Sequence, residues 1–297
     1  MMKLWCQALP FLLLACNLLP APAQAQFFEQ GPKLVGTGAL GPSASQGWSV
    51  SLSHDGTTAI AGAPGDNNLG AAWVFTRLRG VWSQQAKLFG TPIIGASVLQ
   101  GISVSLSGDG NTAIVGGYAD NDETGAAWVF TRSRGVWSQQ GPKLVGTGAT
   151  GTFVQQSGSV SLSDDGDSAI VGGQGDDGDT GLGVGAAWVF TRSRGVWSQQ
   201  GPKLVGTANI GNSRQGEAVS FSGDGHTVIV GGPGDDNNAG AAWVYAKFAG
   251  DPGRANCYGH SAAALVGQYG GLNAASAALG YPSVQALQNA ISEFCEG

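Results

Sequence analysis

Acidic and amide side chains recur in four similar stretches of the sequence, and they are the first candidates for binding chemistry. These stretches carry Asp66, Asn67, Asp120, Asp122, Asp176, Asp177, Asp179, Asp235 and Asp236. Carboxylates and amides in loops on a rigid scaffold commonly recognise a partner. Asp and Asn also form tight turns without any ligand, so a purely structural role is the alternative. We predict an acidic loop face that binds a partner, with a protein or a surface glycan as the candidates.

No catalytic constellation is recognisable in the sequence. Gly259-His260-Ser261-Ala262-Ala263 lacks the final glycine and the preceding strand of a hydrolase nucleophile elbow. No zinc-protease motif, phosphate-binding loop or dinucleotide fingerprint occurs with its supporting context. We therefore predict a non-catalytic protein, and the alternatives are a structural component of the cell envelope and, less favoured, a hydrolase.

The candidate loops belong to a unit that is repeated four times, over about 47–90, 101–146, 158–206 and 216–247. Each copy contains the motif S-x-D-G, an apolar run and the sequence AAWV. The tryptophans that mark the copies are spaced by 55, 60 and 55 residues, at Trp73, Trp128, Trp188 and Trp243. A period of this length indicates one supersecondary unit copied several times.

Each repeat predicts four short β-strands, here called strands a to d. In the second repeat they are Ser103–Ser107, Thr112–Gly117, Ala126–Thr131 and Val136–Val145. Apolar and polar residues alternate along strand a, which is the period of a β-strand. Asp109-Gly110 tolerates the positive φ values of a tight hairpin turn. Pro142 cannot donate to a ladder, so strand d should be the outer edge and the serine-rich strand a the inner one.

The fourth repeat lacks strand d, and a matching segment, FFEQGPKLV, occurs instead at 27–35. We predict that residues 27–36 complete the last sheet and close a ring of sheets, so that no unpaired edge is left between the first and last sheets. The sequence thus predicts an all-β fold over residues 26–250, a β-propeller of four four-stranded blades. An open solenoid and an incomplete propeller closed by dimerisation are the alternatives.

The order of these motifs resembles the FG-GAP repeat of integrin-type β-propellers, in the form found in exported bacterial proteins. Gly62-Ala63-Pro64 is the name-giving triplet, and the resemblance covers about residues 27–247. Integrin-like blades bind calcium through carboxylates in the a–b turn, so the resemblance implies Ca²⁺ as a candidate cofactor. Calcium takes about 6–8 oxygen ligands, and only Asp164, Asp165 and Asp167 cluster in one such turn. Propellers of this family usually have more than four blades.

The first 25 residues resemble a secretory signal peptide. Lys3 precedes an apolar run centred on Phe11–Ala15, and small residues end the segment at Ala23-Gln24-Ala25. We predict cleavage after Ala25 and a secreted or periplasmic protein, with lipid attachment at Cys16 as the alternative. The apolar run is shorter than the roughly 20 residues of a membrane span, so we expect no transmembrane segment in the mature chain.

The charge of the expected mature chain argues against a nucleic-acid partner. Without Lys3 it has 13 basic and 20 acidic residues, a formal charge of 13 − 20 = −7. A nucleic-acid-binding domain normally carries a basic patch or stripe. The sequence shows no such footprint.

The composition changes near Gly253, and residues 254–297 become alanine-rich and helix-favouring. Helices are predicted at about 261–269, 273–279 and 283–294. Cys257 and Cys295 are the two cysteines left after signal cleavage, and an even pair in an exported protein predicts a disulfide. A unit this short needs such a cross-link. We predict a small C-terminal α-helical module closed by this disulfide.

Overall fold

A computed structural model describes residues 27–178, 183–248, 250 and 253–296. The predicted signal peptide at 1–25, with Cys16, lies outside these residues, and so does Asp179. Residues 33–297 form one compact unit, and the described residues 27–32 belong to a separate unit.

Four antiparallel sheets follow one another along the chain, one for each repeat. The first sheet contains β1 (Val50–Leu52), β2 (Thr58–Ala63), β3 (Ala71–Leu78) and β4 (Val81–Leu88). The second contains β5 (Ser103–Leu106), β6 (Thr112–Gly117), β7 (Ala126–Ser133) and β8 (Val136–Gln139). The third contains β9 (Gln156–Leu162), β10 (Ser168–Gly173), β11 (Ala186–Ser193) and β12 (Val196–Gln199). The fourth contains β13 (Ala218–Phe221), β14 (Thr227–Gly232) and β15 (Ala241–Ala246).

The strands of every sheet pair in chain order, and the sheets pack face to face. The first strands, β1, β5, β9 and β13, contact one another in succession, so they are the inner strands. Trp128 and Phe130 of β7 pack against the first sheet, whereas Ile114 and Val129 pack against the third. This arrangement confirms the prediction of consecutive blades like those of a β-propeller, with strand d at the outer edge.

Strand d is shorter than predicted in the second and third sheets. β8 ends before Pro142, which has no N–H to donate to the ladder. Pairing resumes at Leu144, whose N–H and C=O bond to Ala127. The first sheet has Ala86 where the others have Gly-Pro, and its β4 continues to Leu88. The Gly-Pro dipeptide therefore interrupts the outer strand.

The prediction of a closing N-terminal strand is wrong within a single chain. Residues 27–36 are all described and contain no strand. The fourth sheet accordingly has three strands among the described residues, and β15 is its last. The sequence identified which segment matches strand d, but sequence similarity alone does not make that segment a strand.

The C-terminal residues form the predicted helical module. Its helices are Cys257–Tyr269, Leu272–Ala278 and Val284–Glu296. Their apolar sides enclose a small core around Leu265, Leu287 and Ile291. The Cys257–Cys295 disulfide joins the first helix to the last, with 5.6 Å between the two Cα atoms. None of the helices in the described ranges is long and apolar enough to cross a bilayer.

Candidate binding surface

Four of the predicted binding carboxylates are buried, so the expectation that they lie on an exposed acidic face is wrong. They are Asp66, Asp120, Asp176 and Asp235, which are 3%, 0%, 0% and 8% exposed. Each accepts a hydrogen bond from a backbone N–H about 25 residues earlier in the chain, at Leu40, Ile94, Thr150 and Ile210 respectively. These carboxylates therefore tie the b–c loop of a repeat to the loop that precedes it.

Three of the four buried carboxylates also form ion pairs. The pairs are Asp66 with Lys87, Asp120 with Lys143, and Asp176 with Lys203. Every lysine comes from the KL dipeptide that follows strand d or ends it. A buried carboxylate is stable only when paired and hydrogen-bonded, and these contacts satisfy both conditions. These ion pairs join the b–c loop of each of the first three repeats to its outer strand.

On the same loop face, each buried carboxylate is followed, one or two positions later, by a residue whose side chain is exposed. Asn67, Asp122, Asp177 and Asp236 are exposed. Their backbone φ values lie between 44° and 59°, in the left-handed region where Asn and Asp are enriched. One short loop thus sends one side chain inward and another into solvent. These four residues stay candidates for partner contact.

The three carboxylates proposed as a calcium site do not converge. Asp164 lies 3.4 Å from His54, Asp165 accepts a hydrogen bond from the Ser163 hydroxyl, and Asp167 pairs with Arg192 at 2.6 Å. No group of three metal-ligating side chains occurs in the part of the chain that the structure describes. Each carboxylate instead has its own protein partner.

The aspartate of the S-x-D-G motif organises the a–b turn. In the first repeat the Ser53 hydroxyl donates to the Asp55 carboxylate at 2.6 Å, and the Thr57 N–H donates to it at 2.9 Å. The Ser53 hydroxyl in turn accepts from the Thr58 N–H, which closes the turn at the start of β2. These donors, with Ser53 contributing most, lower the pKa of Asp55 from 3.8 to about 2.

This pKa predicts an acid-sensitive contribution to stability. Because the folded-state pKa of Asp55 lies below its unfolded value, the contribution is present above pH about 4 and disappears as the pH falls towards 2. We expect Asp55→Asn to lower the free energy of unfolding at pH 7 and to match the unsubstituted protein near pH 2. Urea unfolding across this pH range measures the difference. A difference that does not change with pH would contradict the assignment.

The opposite face, formed by the c–d turns, carries stacked arginine and tryptophan pairs. Arg132 lies 5.4 Å from the Trp137 ring, and Arg192 lies 5.5 Å from Trp197. Both Arg132 and Trp137 donate to the Gln85 side chain of the previous sheet, at 3.1 and 2.8 Å. The guanidinium groups of Arg132 and Arg192 are thus engaged in joining neighbouring sheets.

A polar cleft lies over the inner strands on the loop face. Its volume is about 270 Å³, and its lining comes from the second, third and fourth repeats: Ile102, Tyr118, Gln155, Gly158, Gln174, Gly216 and Glu217. Binding sites for small ligands are mostly apolar and measure about 300–1,000 Å³, with a few placed polar groups. This cleft lies just below that size and is more polar, and it belongs to the same loop face as the exposed loop residues described above.

The amides of the cleft are held in place by a chain of hydrogen bonds. Gln155 donates to the Glu123 carboxylate at 2.8 Å and accepts from the Gln174 amide at 3.0 Å. On the other side of the cleft, Glu217 pairs with Arg214 at 3.2 Å. Side chains that are fixed by such partners lose less conformational entropy when a ligand binds.

Sequence reasoning missed this cleft, although a signal was present. The residue that follows the Gly-Gly or Gly-Ala of strand b differs between repeats, as Pro64, Tyr118, Gln174 and Pro233. The residue that precedes the repeated glutamine differs as well, as Ser45, Leu99, Gln155 and Arg214. Positions that vary within an otherwise repeated motif are free to serve a ligand. Tyr118, Gln174 and Gln155 line the cleft, and Arg214 forms an ion pair with Glu217 of its lining.

No family model and no curated protein matches the chain. Among solved structures, it is similar to hydrazine synthase from Kuenenia stuttgartiensis, with 13% identity and a TM-score of 0.43 over 72% of this chain and 49% of that one. It is also similar to a protein assigned as TolB from Agrobacterium tumefaciens, with 14% identity and a TM-score of 0.39 over 67% and 57% of the two chains. The chain therefore spans about half the length of these proteins.

Proposed function

We propose that this chain is an exported, non-catalytic binding module of the FG-GAP type that recognises a surface glycan through its loop face. The observation that carries the proposal is the cleft over the inner strands, with its amides fixed by hydrogen bonds. The disulfide supports an extracytoplasmic location, because such bonds persist in oxidising compartments.

The chemistry of the cleft favours a polyhydroxylated ligand over an ionic one. Gln155 and Gln174 offer amide donors and acceptors, and Glu217 offers a carboxylate that accepts from hydroxyl groups. Tyr118 supplies a ring with a polar end, which suits a surface that is apolar on one side and hydroxylated on the other. Asp122 and Asp177 lie on the same loop face and extend the surface for a longer chain of sugars.

A glycan panel with matched variants tests the proposal. We expect saturable binding by the unsubstituted protein and a loss of about tenfold or more for Gln174→Ala, because a ligand hydroxyl then loses a placed partner. Gln285→Ala is the matched control, since Gln285 is an exposed amide of the last helix, far along the chain from the cleft. Binding by both variants at full strength would contradict a role for the cleft.

The exposed loop carboxylates are tested separately. Asp122→Asn, Asp177→Asn and Asp236→Asn together keep side chains that tolerate the left-handed backbone at these positions. We expect weaker binding with unchanged thermal stability, because these side chains are exposed. Unchanged affinity would exclude these three carboxylates from the binding surface and leave the cleft as the only candidate. A protein that binds no glycan in the panel would favour a structural role in the envelope.

A further inference from the structure

The first sheet exposes an apolar face that the second and third sheets bury. Val50 and Leu52 of β1 are 71% and 60% exposed. The residues at the same repeat positions in β5, Val104 and Leu106, are only 8% and 6% exposed because they pack on the first sheet. Nothing among the described residues covers the first sheet in the corresponding way.

The fourth sheet exposes the opposite face. Ile229 and Val244 are 43% and 65% exposed, whereas Ile114 and Val129 at the same positions of the second repeat are buried against the third sheet. Ala242 is exposed as well, although its counterparts in the other three repeats are fully buried. The series of sheets thus ends in two different apolar faces.

These two faces correspond to the two sides of the packing interface between neighbouring sheets, which occurs three times within the chain. An apolar groove of about 470 Å³ lies on the first sheet and is lined in part by Leu34, Val50, Leu52 and Phe75. At the junction between the first and second sheets, side chains such as Ile60 and Val74 pack on the residues equivalent to this groove. Ile229 and Val244 are the matching side chains of the fourth sheet, so the groove is the apolar surface on which the repeat would pack them.

The two ends also carry one half each of the buried ion pair. Asp235 is 8% exposed and has no lysine partner among the described residues, unlike Asp66, Asp120 and Asp176. Lys33 occupies the repeat position of Lys87, Lys143 and Lys203, is exposed, and has no carboxylate partner in the described part of the chain. A buried carboxylate without its cation is costly, and Lys33 is the cation that the repeat assigns to it.

The backbone hydrogen-bonding groups at the two ends of the series of sheets also match each other. Leu144 pairs with Ala127, and Leu204 pairs with Ala187, where the outer segment rejoins its sheet. The corresponding residues for the fourth sheet are Ala242 and Leu34. Leu34 is 40% exposed. Gly36, two residues later, is held beside the first sheet by the Gln46 side-chain amide, which accepts a hydrogen bond from the Gly36 N–H at 2.7 Å and donates one to the Gly36 C=O at 2.8 Å.

We infer that a second copy of this chain docks head to tail, with its residues 33–36 and first sheet completing the fourth sheet of the first copy. One contact then buries Val244 and Leu52, pairs Lys33 with Asp235, and adds the missing strand to β15. Two copies joined at both ends make a ring of eight sheets, within the range of about 4–8 blades that propellers adopt. A heterologous contact of this kind assembles into a ring when its rotation closes.

Charge reversal at the new ion pair tests the inference. Native mass spectrometry and sedimentation of the full chain should give a dimer, and Lys33→Asp should raise its dissociation constant at least about 100-fold, since two buried carboxylates then face each other. Asp235→Lys should do the same. Arg134→Asp is the matched control: it has the same change of charge at an exposed turn of the second sheet and should stay dimeric.

Mixing the two variants distinguishes a second copy from closure of one chain on itself. Lys33→Asp and Asp235→Lys together restore opposite charges at one junction, and the other junction is unsubstituted. We expect a one-to-one heterodimer from two variants that are monomeric alone. Absence of this heterodimer, or a monomeric unsubstituted protein at all concentrations, would overturn the inference.

Leu52→Asp provides a variant that does not touch the buried carboxylate. Leu52 is already exposed in the single chain, so a monomer with an unchanged circular dichroism spectrum is the expected result, and its thermal midpoint should lack the dependence on protein concentration that association gives the unsubstituted dimer. A Leu52→Asp protein that stays dimeric would count against the first sheet as the docking face.

Discussion

Asp120→Asn is expected to lower the free energy of unfolding by about 3–5 kcal/mol, the usual cost of breaking a buried ion pair by removing one partner. Asp120 is fully buried, and its carboxylate is bonded to Lys143 and to the Ile94 N–H. The asparagine keeps the shape and one acceptor, but it leaves the charge of Lys143, whose side chain is 13% exposed, without a counterion.

Asp122→Asn is the matched control for this substitution. Asp122 belongs to the same loop and undergoes the same change of charge, but it is exposed, so its effect should stay within about 0.5 kcal/mol. Chemical denaturation followed by tryptophan fluorescence measures both. A loss below about 1 kcal/mol for Asp120→Asn would contradict the structural role given to the buried carboxylates. A second substitution, Lys143→Met, should restore part of the lost stability because it removes the unpaired charge.

Gly146→Ala is expected to destabilise the fold by about 3 kcal/mol, at the upper end of the usual cost of overpacking. A Cβ atom at Gly146 would lie 2.3 Å from the indole of Trp188. The ring is fully buried, and Gln156 holds the Gly146 backbone through its N–H and C=O at 2.6 and 3.0 Å. Neither side of the contact can move without breaking hydrogen bonds or core packing.

Gly259→Ala is the control for the glycine substitution. No atom lies within 4 Å of a Cβ built at Gly259, which is inside the first helix of the C-terminal module. Alanine favours a helix interior by up to about 1 kcal/mol over glycine, so this variant should be as stable as the unsubstituted protein or more so. Thermal unfolding by calorimetry compares the two. An unaffected Gly146→Ala protein would contradict the close approach of the outer segment to the next sheet.

The regular parts of the fold could be predicted because each repeat carries its own local signals. Strand b of the second repeat was predicted at Thr112–Gly117 and is found there. Alternation, the Asp109-Gly110 turn and the position of Trp128 are all local features, and they agree with one another. The disulfide between Cys257 and Cys295 followed from counting, and the structure confirms it.

The closing strand and the acidic face could not be predicted because both depend on contacts between distant residues. Asp120 looks like a solvent-facing loop residue until Lys143, 23 positions later, is seen to pair with it. The sequence did contain a clue. The fourth repeat lacks both strand d and the lysine that follows it, which indicates that the two features belong to one structural element.

The cleft was missed for a different reason. Gln155 and Gln174 lie in separate stretches of the third repeat, and neither has a motif that marks a ligand contact. Their amides meet only because the inner strands converge and the loops before β9 and after β10 lie at the same end of the sheet. Convergence of this kind is a property of the packed sheets and not of any local pattern.

The most direct test of the proposed function is hydrogen–deuterium exchange of the full chain with and without a glycan selected from the panel. The account predicts added protection on the loop face, in residues 118–123, 155–158, 174–177 and 214–217, because a ligand in the cleft orders these segments. Protection confined to the arginine-bearing turns at 78–81, 133–136 and 193–196 would place the ligand on the opposite face and contradict the account.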